Sequence, residues 1–387
     1  MTNAISNVQA APIEAKVKSG GRNLGVELFR IVSMMMVVML HLLGHGGVIS
    51  TANYLTPNYK LLHFLQVLTY CSVNCYALIS GFANAKTEFK FRRFVYLWLE
   101  TVFLITMLNV VMHFFVPDFT VKKEWWISGI FPLAKRELWY LCAYFFMYPL
   151  IPILNKGLLS LKKWQHIAIM LLLQVPPIFR YFNNGTDNYV LGGGYSAIWL
   201  ICLYVMGAYF RIYGAPKWAK WFVTLPTFFL AALAAWGLKI VPEMMVKEGT
   251  LDKASKWYEM RGGLVSYISP CMVIMSVMLL MFFMQLKIKG KIPKLVITEL
   301  GRASWGVFVL HVSAAFWYYT KFWRKFYEYG DYPLGKMFFS LIGATVLFYL
   351  AMSLISVARF WLFKLCRVNK GVDFLADLPQ KLSKKKE

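Results

Sequence analysis

Ten stretches of apolar residues, each near the ~20 that cross a bilayer, divide the chain at about 24–44, 61–83, 94–115, 138–155, 164–180, 195–212, 221–240, 263–286, 299–319 and 337–358. The fifth and sixth are the shortest. Period-two alternation over ten-residue stretches, the mark of β-barrel strands, is absent. The pattern therefore predicts an all-α membrane protein, a bundle of about ten transmembrane helices.

The first stretch, LGVELFRIVSMMMVVMLHLLG, breaks its own apolar rule with Glu27, Arg30 and His41. An ionisable side chain inside a spanning helix costs about 2.5–3.5 kcal/mol on insertion scales, so residues kept there are candidates for function. Eleven positions at 100° per residue close to within about 20° of three whole turns, which places Arg30 and His41 on one helix face about 16 Å apart. Glu27, three positions before Arg30, lies on nearly the same face and can neutralise it.

Composition agrees with the pattern. With 59% hydrophobic and 16% charged residues and a mean hydropathy of +0.53, the chain carries more apolar surface than a soluble core can hide. The net charge of +24 would suit a nucleic-acid partner, but its distribution points to the membrane. With the N-terminus cytoplasmic, the inner segments hold 26 basic and 5 acidic residues, and the outer loops 15 and 10. This is the positive-inside asymmetry, and it predicts both termini in the cytoplasm and no nucleic acid. The C-terminal LSKKKE reads as a contact with lipid headgroups. Residues 1–22, polar and Ala-rich, read as a disordered cytoplasmic tail, 23–365 as the multi-span domain, and 366–387 as a basic cytoplasmic tail. The first apolar run lacks a small-residue cleavage site and reads as a retained anchor. The longest outer loop, about 241–262, is too short to bury a core of its own.

Other polar features are weaker signals. His41 and His45 have the i, i+4 spacing of a metal pair, but no third ligand accompanies them and no metal site is expected. LGGGYS at 191–196 has neither a preceding strand nor a GK[ST] and reads as a flexible lead into the sixth span, not a phosphate cradle. His63, His113 and His166 sit at segment ends, where hydrogen-bonded structural histidines are ordinary. His311, well inside the ninth stretch in SWGVFVLH, is a further functional candidate. The six cysteines form neither a disulfide framework nor a CxxC pattern.

KTEFKFRR at 86–93 puts Lys90, Arg92 and Arg93 at the cytoplasmic mouth of the third span. One reading is a topological anchor; another is an anion site, since guanidinium forks grip phosphate oxygens. Under the second, a phosphate-bearing carrier could rest its charged end there and run a long arm toward His41.

The first span, VELFRIVSMMMVVMLH, resembles the signature of the acyltransferase 3 family of bacterial membrane proteins: a basic residue, ten intervening positions and a histidine, here Arg30 and His41. The likeness continues through ISGF at 79–82, ELWYLCAYFFMYPLIPILNK at 137–156, YSAIWLICLYVMGAYFRIYG at 195–214 and SWGVFVLH at 304–311. It departs where the family carries an R-x-x-R pair: Arg93 is followed three positions later by Tyr96, and Lys90 with Arg93 keeps the spacing instead. The resemblance implies a multi-pass bacterial cell-membrane O-acyltransferase that moves an acyl group, most often acetyl from acetyl-CoA, to a hydroxyl of a cell-surface or secreted carbohydrate. It implies His41, Arg30 and Glu27 as catalytic residues, Lys90, Arg92 and Arg93 as donor contacts, and no tightly bound cofactor. A neutral imidazole at His41 can take the hydroxyl proton as the thioester is attacked, or carry the acyl group itself. The alternative class is a transporter or flippase for a lipid-linked saccharide, which also keeps polar residues in its spans.

Overall fold

A computed structural model describes residues 23–87, 90–133, 138–182, 187 and 190–383; the tail expected over 1–22 and the last four residues of the basic C-terminus lie outside these. Among the described residues all regular structure is helical. The principal helices are α1 (Leu24–Gly44), α2 (Pro57–Tyr70), α3 (Ser72–Asn84), α4 (Phe91–Phe115), α5 (Trp139–Met147), α6 (Ile151–Ser160) and α7 (Lys163–Leu172). They continue with α8 (Val175–Phe182), α9 (Ala197–Tyr213), α10 (Trp221–Lys247), α11 (Pro270–Met284), α12 (Lys291–Val312), α13 (Leu334–Leu365) and α14 (Val368–Ser383).

Among the described residues, 7 units are long and apolar enough to cross a membrane: Leu24–Thr51, Pro57–Asn84, Phe91–Phe115, Trp139–Ser160, Trp221–Lys247, Lys291–Val312 and Leu334–Leu365. The sixth and eighth apolar stretches form the shorter helices α9 and α11. The fifth breaks into α7 and α8, because Pro176 and Pro177 have no N–H to continue the ladder of the preceding turn. The stretch after residue 365, expected only as a basic tail, is helical over Val368–Ser383 and packs against α4 and α13.

Capping fixes where the central helices begin. The Asn23 side chain accepts from Val26 N at 3.2 Å, and its amide donates to the Met284 carbonyl at 3.0 Å, tying the start of α1 to the end of α11. Thr56 with Pro57 starts α2, Ser196 starts α9, and Ser269 with Pro270 starts α11.

α1 is the hub of the bundle, in contact with α2, α3, α11, α12 and α13. Its most hydropathic window is 67% buried within the protein and that of α2–α3 is 72%, against 22% for α10, so α1 and α2–α3 are enclosed by other helices while α10 lies largely on the outside of the bundle. A close crossing joins α3 to α9. A Cβ at Gly207 would lie 2.0 Å from the Leu78 carbonyl oxygen, and one at Gly81 would lie 2.1 Å from that of Tyr204. Two glycines thus let the backbones touch, as small residues do in membrane interfaces.

Gly207→Ala should therefore destabilise the protein by about 1–3 kcal/mol through overpacking. Gly237→Ala, where nothing lies within 4 Å, should not. Thermal melts in detergent, followed by size exclusion, compare the two; equal melting temperatures would contradict the close-approach reading.

Candidate functional site

The first turns of α1 open onto a cavity of about 760 Å³. There Arg30 Nη1 donates to Glu27 Oε2 at 2.9 Å, and the Tyr76 hydroxyl of α3 donates to the Arg30 carbonyl at 2.8 Å. Arg93 from the first turn of α4, Arg211 from the last turn of α9, and Arg302 from α12 line the same cavity. Four guanidinium groups from four helices therefore converge on one volume. Arg302 is partnered by Glu299 at 3.3 Å, and the Arg211 guanidinium lies 5.4 Å from the Phe82 ring centre. A concave site of this size with convergent cations suits a polyanionic small molecule.

Of the residues singled out by sequence, Glu27, Arg30 and Arg93 meet in this cavity. Arg92 does not line it: its Nε lies 2.5 Å from Asp373 Oδ1 on α14. Lys90, the residue that precedes α4, is exposed and also off the lining. Adjacent arginines have separate fates because successive helical positions are 100° apart. Tyr96, which stands where a second arginine would complete an R-x-x-R pair, accepts from Arg359 Nη1 at 3.1 Å, so a guanidinium from α13 reaches that spot through space. Arg359 also donates to Glu100, another lining residue, in a pair sealed from solvent.

His41 lies on a second cavity, of about 490 Å³, walled largely by aromatic side chains. Its Nδ1 is 3.0 Å from Nε2 of His311 on α12, and His311 Nδ1 is 2.6 Å from the Val307 carbonyl. A carbonyl only accepts, so with both rings neutral the proton of His311 resides on Nδ1 and its Nε2 must accept. His41 then donates from Nδ1, which leaves the Nε2 lone pair of His41 as the basic site. His311, itself fully buried, thus sets the tautomer of His41, a role usually taken by a carboxylate or a backbone carbonyl. His45 does not join this pair: its Nε2 donates to the Trp317 carbonyl at 2.8 Å, and its ring stacks on Trp317 at 3.9 Å.

The two cavities abut. Tyr76, Tyr140 and Trp305 line both, forming an aromatic partition between the arginine cavity and the histidine cavity. Trp305 is held by a bond from Nε1 to Thr101 Oγ1 at 3.2 Å. The shared helix face expected for Arg30 and His41 is thus realised as one cavity on each side of this partition.

Sequence reasoning missed Arg211, Arg302 and Arg359 as site residues, since each reads as one more positive-inside charge near a helix end. The remaining histidines have other partners: His63 with Gln66, His113 with Val121 N, and His166 with the Val205 carbonyl. A family model described as an acyltransferase domain matches residues 23–364. No curated protein and no solved structure matches the chain.

Removing Glu100 strands a cation in the bundle. Glu100→Ala should cost about 3–5 kcal/mol, and Glu100→Ala combined with Arg359→Met should regain much of it. Yield and melting temperature of the detergent-solubilised variants report this, and a fully stable single variant would count against a sealed ion pair.

Proposed function

We propose, since this chain belongs to the acyltransferase 3 family and is a multi-pass membrane acyltransferase, that it moves acetyl or another small acyl group from acyl-CoA to a hydroxyl of a cell-surface or secreted carbohydrate in a bacterial cell membrane. The observation that carries the reading is the pair of abutting cavities, one gathering four arginines and the other presenting a histidine base, with an aromatic partition between. The phosphates of the donor bind on the side of Arg93, Arg211 and Arg302, and the thioester arm passes Tyr76, Tyr140 and Trp305 toward His41. Both termini and the arginine cavity face the cytoplasm, as the charge asymmetry favours, with about ten passes when α7–α8, α9 and α11 are counted. The catalytic unit spans residues 23–365, and α14 with the remaining basic tail lies on the cytoplasmic surface.

In the transfer step, His41 Nε2 takes the proton of the acceptor hydroxyl as that oxygen attacks the thioester carbonyl; the C–S bond then breaks and the departing thiolate receives the proton. General-base help of this kind is worth about 10²- to 10⁴-fold. His311 holds His41 in the tautomer that presents the lone pair, so it is a positioning residue. Arg30 steadies the donor arm, and Glu27 keeps that cation paired when the site is empty.

The test of the reading is mass analysis of surface glycans from cells with and without the chain. Loss of a fixed acyl mass from one glycan supports it, and an unchanged glycan profile with unspent acyl-CoA overturns it.

Two mutational outcomes follow. His41→Ala should abolish transfer in a normally folded protein, whereas His311→Ala should lower kcat by about 10²-fold or less and leave the KM for acetyl-CoA unchanged; steady-state kinetics in liposomes separate the two. Arg93→Ala should raise the donor KM by the equivalent of about 1.5–3 kcal/mol. Arg92→Ala, whose partner is Asp373, should raise it far less. Equal effects at Arg92 and Arg93 would remove the donor contact from Arg93.

A further inference from the structure

A third cavity, of about 710 Å³, opens at the end of the bundle that carries His45, opposite Arg93. It lies between the start of α2, the last turns of α10 and the segment that follows α10, and the transfer chemistry above makes no use of it. Its walls hold four cations, Lys239, Lys247, Lys253 and Arg261, against one carboxylate, Glu243. The carboxylate is committed: Glu243, only 3% exposed, accepts from the Tyr59 hydroxyl at 3.0 Å and from Lys239 Nζ at 3.0 Å, with Arg261 Nε at 3.7 Å. Arg261 Cζ lies 3.7 Å from the centre of the Tyr258 ring and Nη1 donates to the Tyr258 carbonyl at 2.9 Å, which holds its fork. Neither Lys247 nor Lys253 has a carboxylate partner among the described residues. The result is a preorganised cationic pocket with a surplus of positive charge and three tyrosines, Tyr54, Tyr59 and Tyr258, as flat amphipathic walls.

α2 connects this pocket to the histidine cavity. Tyr59, His63, Gln66 and Tyr70 recur at i, i+4, i+7 and i+11 and so share one face of that helix. The rings of Tyr59 and His63 are 4.4 Å apart, His63 Nδ1 is 2.9 Å from Gln66 Oε1, and Gln66 and Tyr70 line the cavity of His41. From Tyr59 to Gln66 is about 10 Å along the axis. A polar track therefore runs from the cationic pocket to the base.

From this we infer that the pocket is an acceptor subsite for a carboxylate-bearing sugar: the glycan is acidic, its carboxylate sits among Lys247, Lys253 and Arg261, and the chain continues along α2 so that a neighbouring hydroxyl reaches His41. The inference rests on the carbohydrate-acceptor reading and narrows it to an anionic class. The tyrosines hold the sugar ring by its apolar face, and the cations select against neutral glycans.

The experiment measures binding directly, so it does not depend on turnover. Full-length protein in nanodiscs of neutral phosphatidylcholine is titrated with trigalacturonate and with disialic acid, each against its methyl ester. At least one acid should bind tenfold or more tightly than its ester. Lys247→Glu combined with Lys253→Glu should erase that preference, while Lys217→Glu combined with Lys220→Glu, at the far end of the bundle, should retain it. Equal affinity for acid and ester with both sugars, or a preference that survives in the Lys247/Lys253 variant, overturns the subsite. A variant that loses only a response to added phosphatidylglycerol would make the pocket a lipid-headgroup site and overturn it equally. Acyl-CoA consumption by wild-type protein in the same nanodiscs is scored separately. Its absence would count against the transferase reading while the binding result still decided the subsite.

Discussion

A charge inside a hydrocarbon slab has to be answered by another charge, a hydrogen bond or water, and the arrangement of this bundle follows from that demand. Glu27 and Arg30 on α1, and Glu100 and Arg359 on α4 and α13, are charged side chains within the bundle, and each is paired. Pairing alone does not suffice, because a pair facing lipid would still be poorly solvated. α1 is consequently surrounded by five helices, and its charged face looks into a cavity. The glycine contact of α3 with α9 draws α3 tightly to α9 on that side, and α3 carries Tyr76 to the backbone of Arg30.

The two inner cavities differ in the way the proposed chemistry would require. Under the proposed transfer, phosphate recognition would need fixed cations with some access to water, and in the arginine cavity Arg93 and Arg302 are not deeply buried. Proton abstraction by His41, as proposed, would need an imidazole of defined tautomer, and a chain of bonds ending at a backbone carbonyl defines it. A carboxylate in place of His311 would orient His41 equally well, but it would add an uncompensated charge to an aromatic interior. A second imidazole orients without adding charge.

The all-helical class and the face shared by Arg30 and His41 were legible in the sequence because both depend on local periodicity. The 3.6-residue repeat is a property of one segment, and the pairing of Glu27 with Arg30 lies within a single turn. What could not be read is whatever depends on contacts between distant segments. His311 stood out as an intramembrane histidine, but its bond to His41 spans 270 positions. Arg211, Arg302 and Arg359 were indistinguishable from anchors, since a basic residue at a helix end is expected on topological grounds whether or not it also faces a cavity. The same ambiguity explains Arg92 and Arg93. A cluster is visible in sequence, but the 100° between neighbours, which sends Arg93 to the cavity and Arg92 to Asp373, acquires meaning only when the positions of α1 and α14 are known.

The basic residues of this chain therefore do two jobs that composition merges. Orientation in a membrane is set by the count of cations on each side and is indifferent to which way each side chain points, so evolution is free to turn some of them inward at no topological cost. That freedom operates at both ends of the bundle. At one end Arg93, Arg211 and Arg302 converge on a cavity; at the other, which the proposed orientation places outside, Lys239, Lys247, Lys253 and Arg261 still gather around a buried carboxylate. Cations that accord with the positive-inside rule need no further explanation, whereas a cluster that runs against it does. In the proposed orientation this cationic pocket lies on the outer side and is for that reason the stronger sign of a ligand, although the sequence presents it only as a few lysines in a loop.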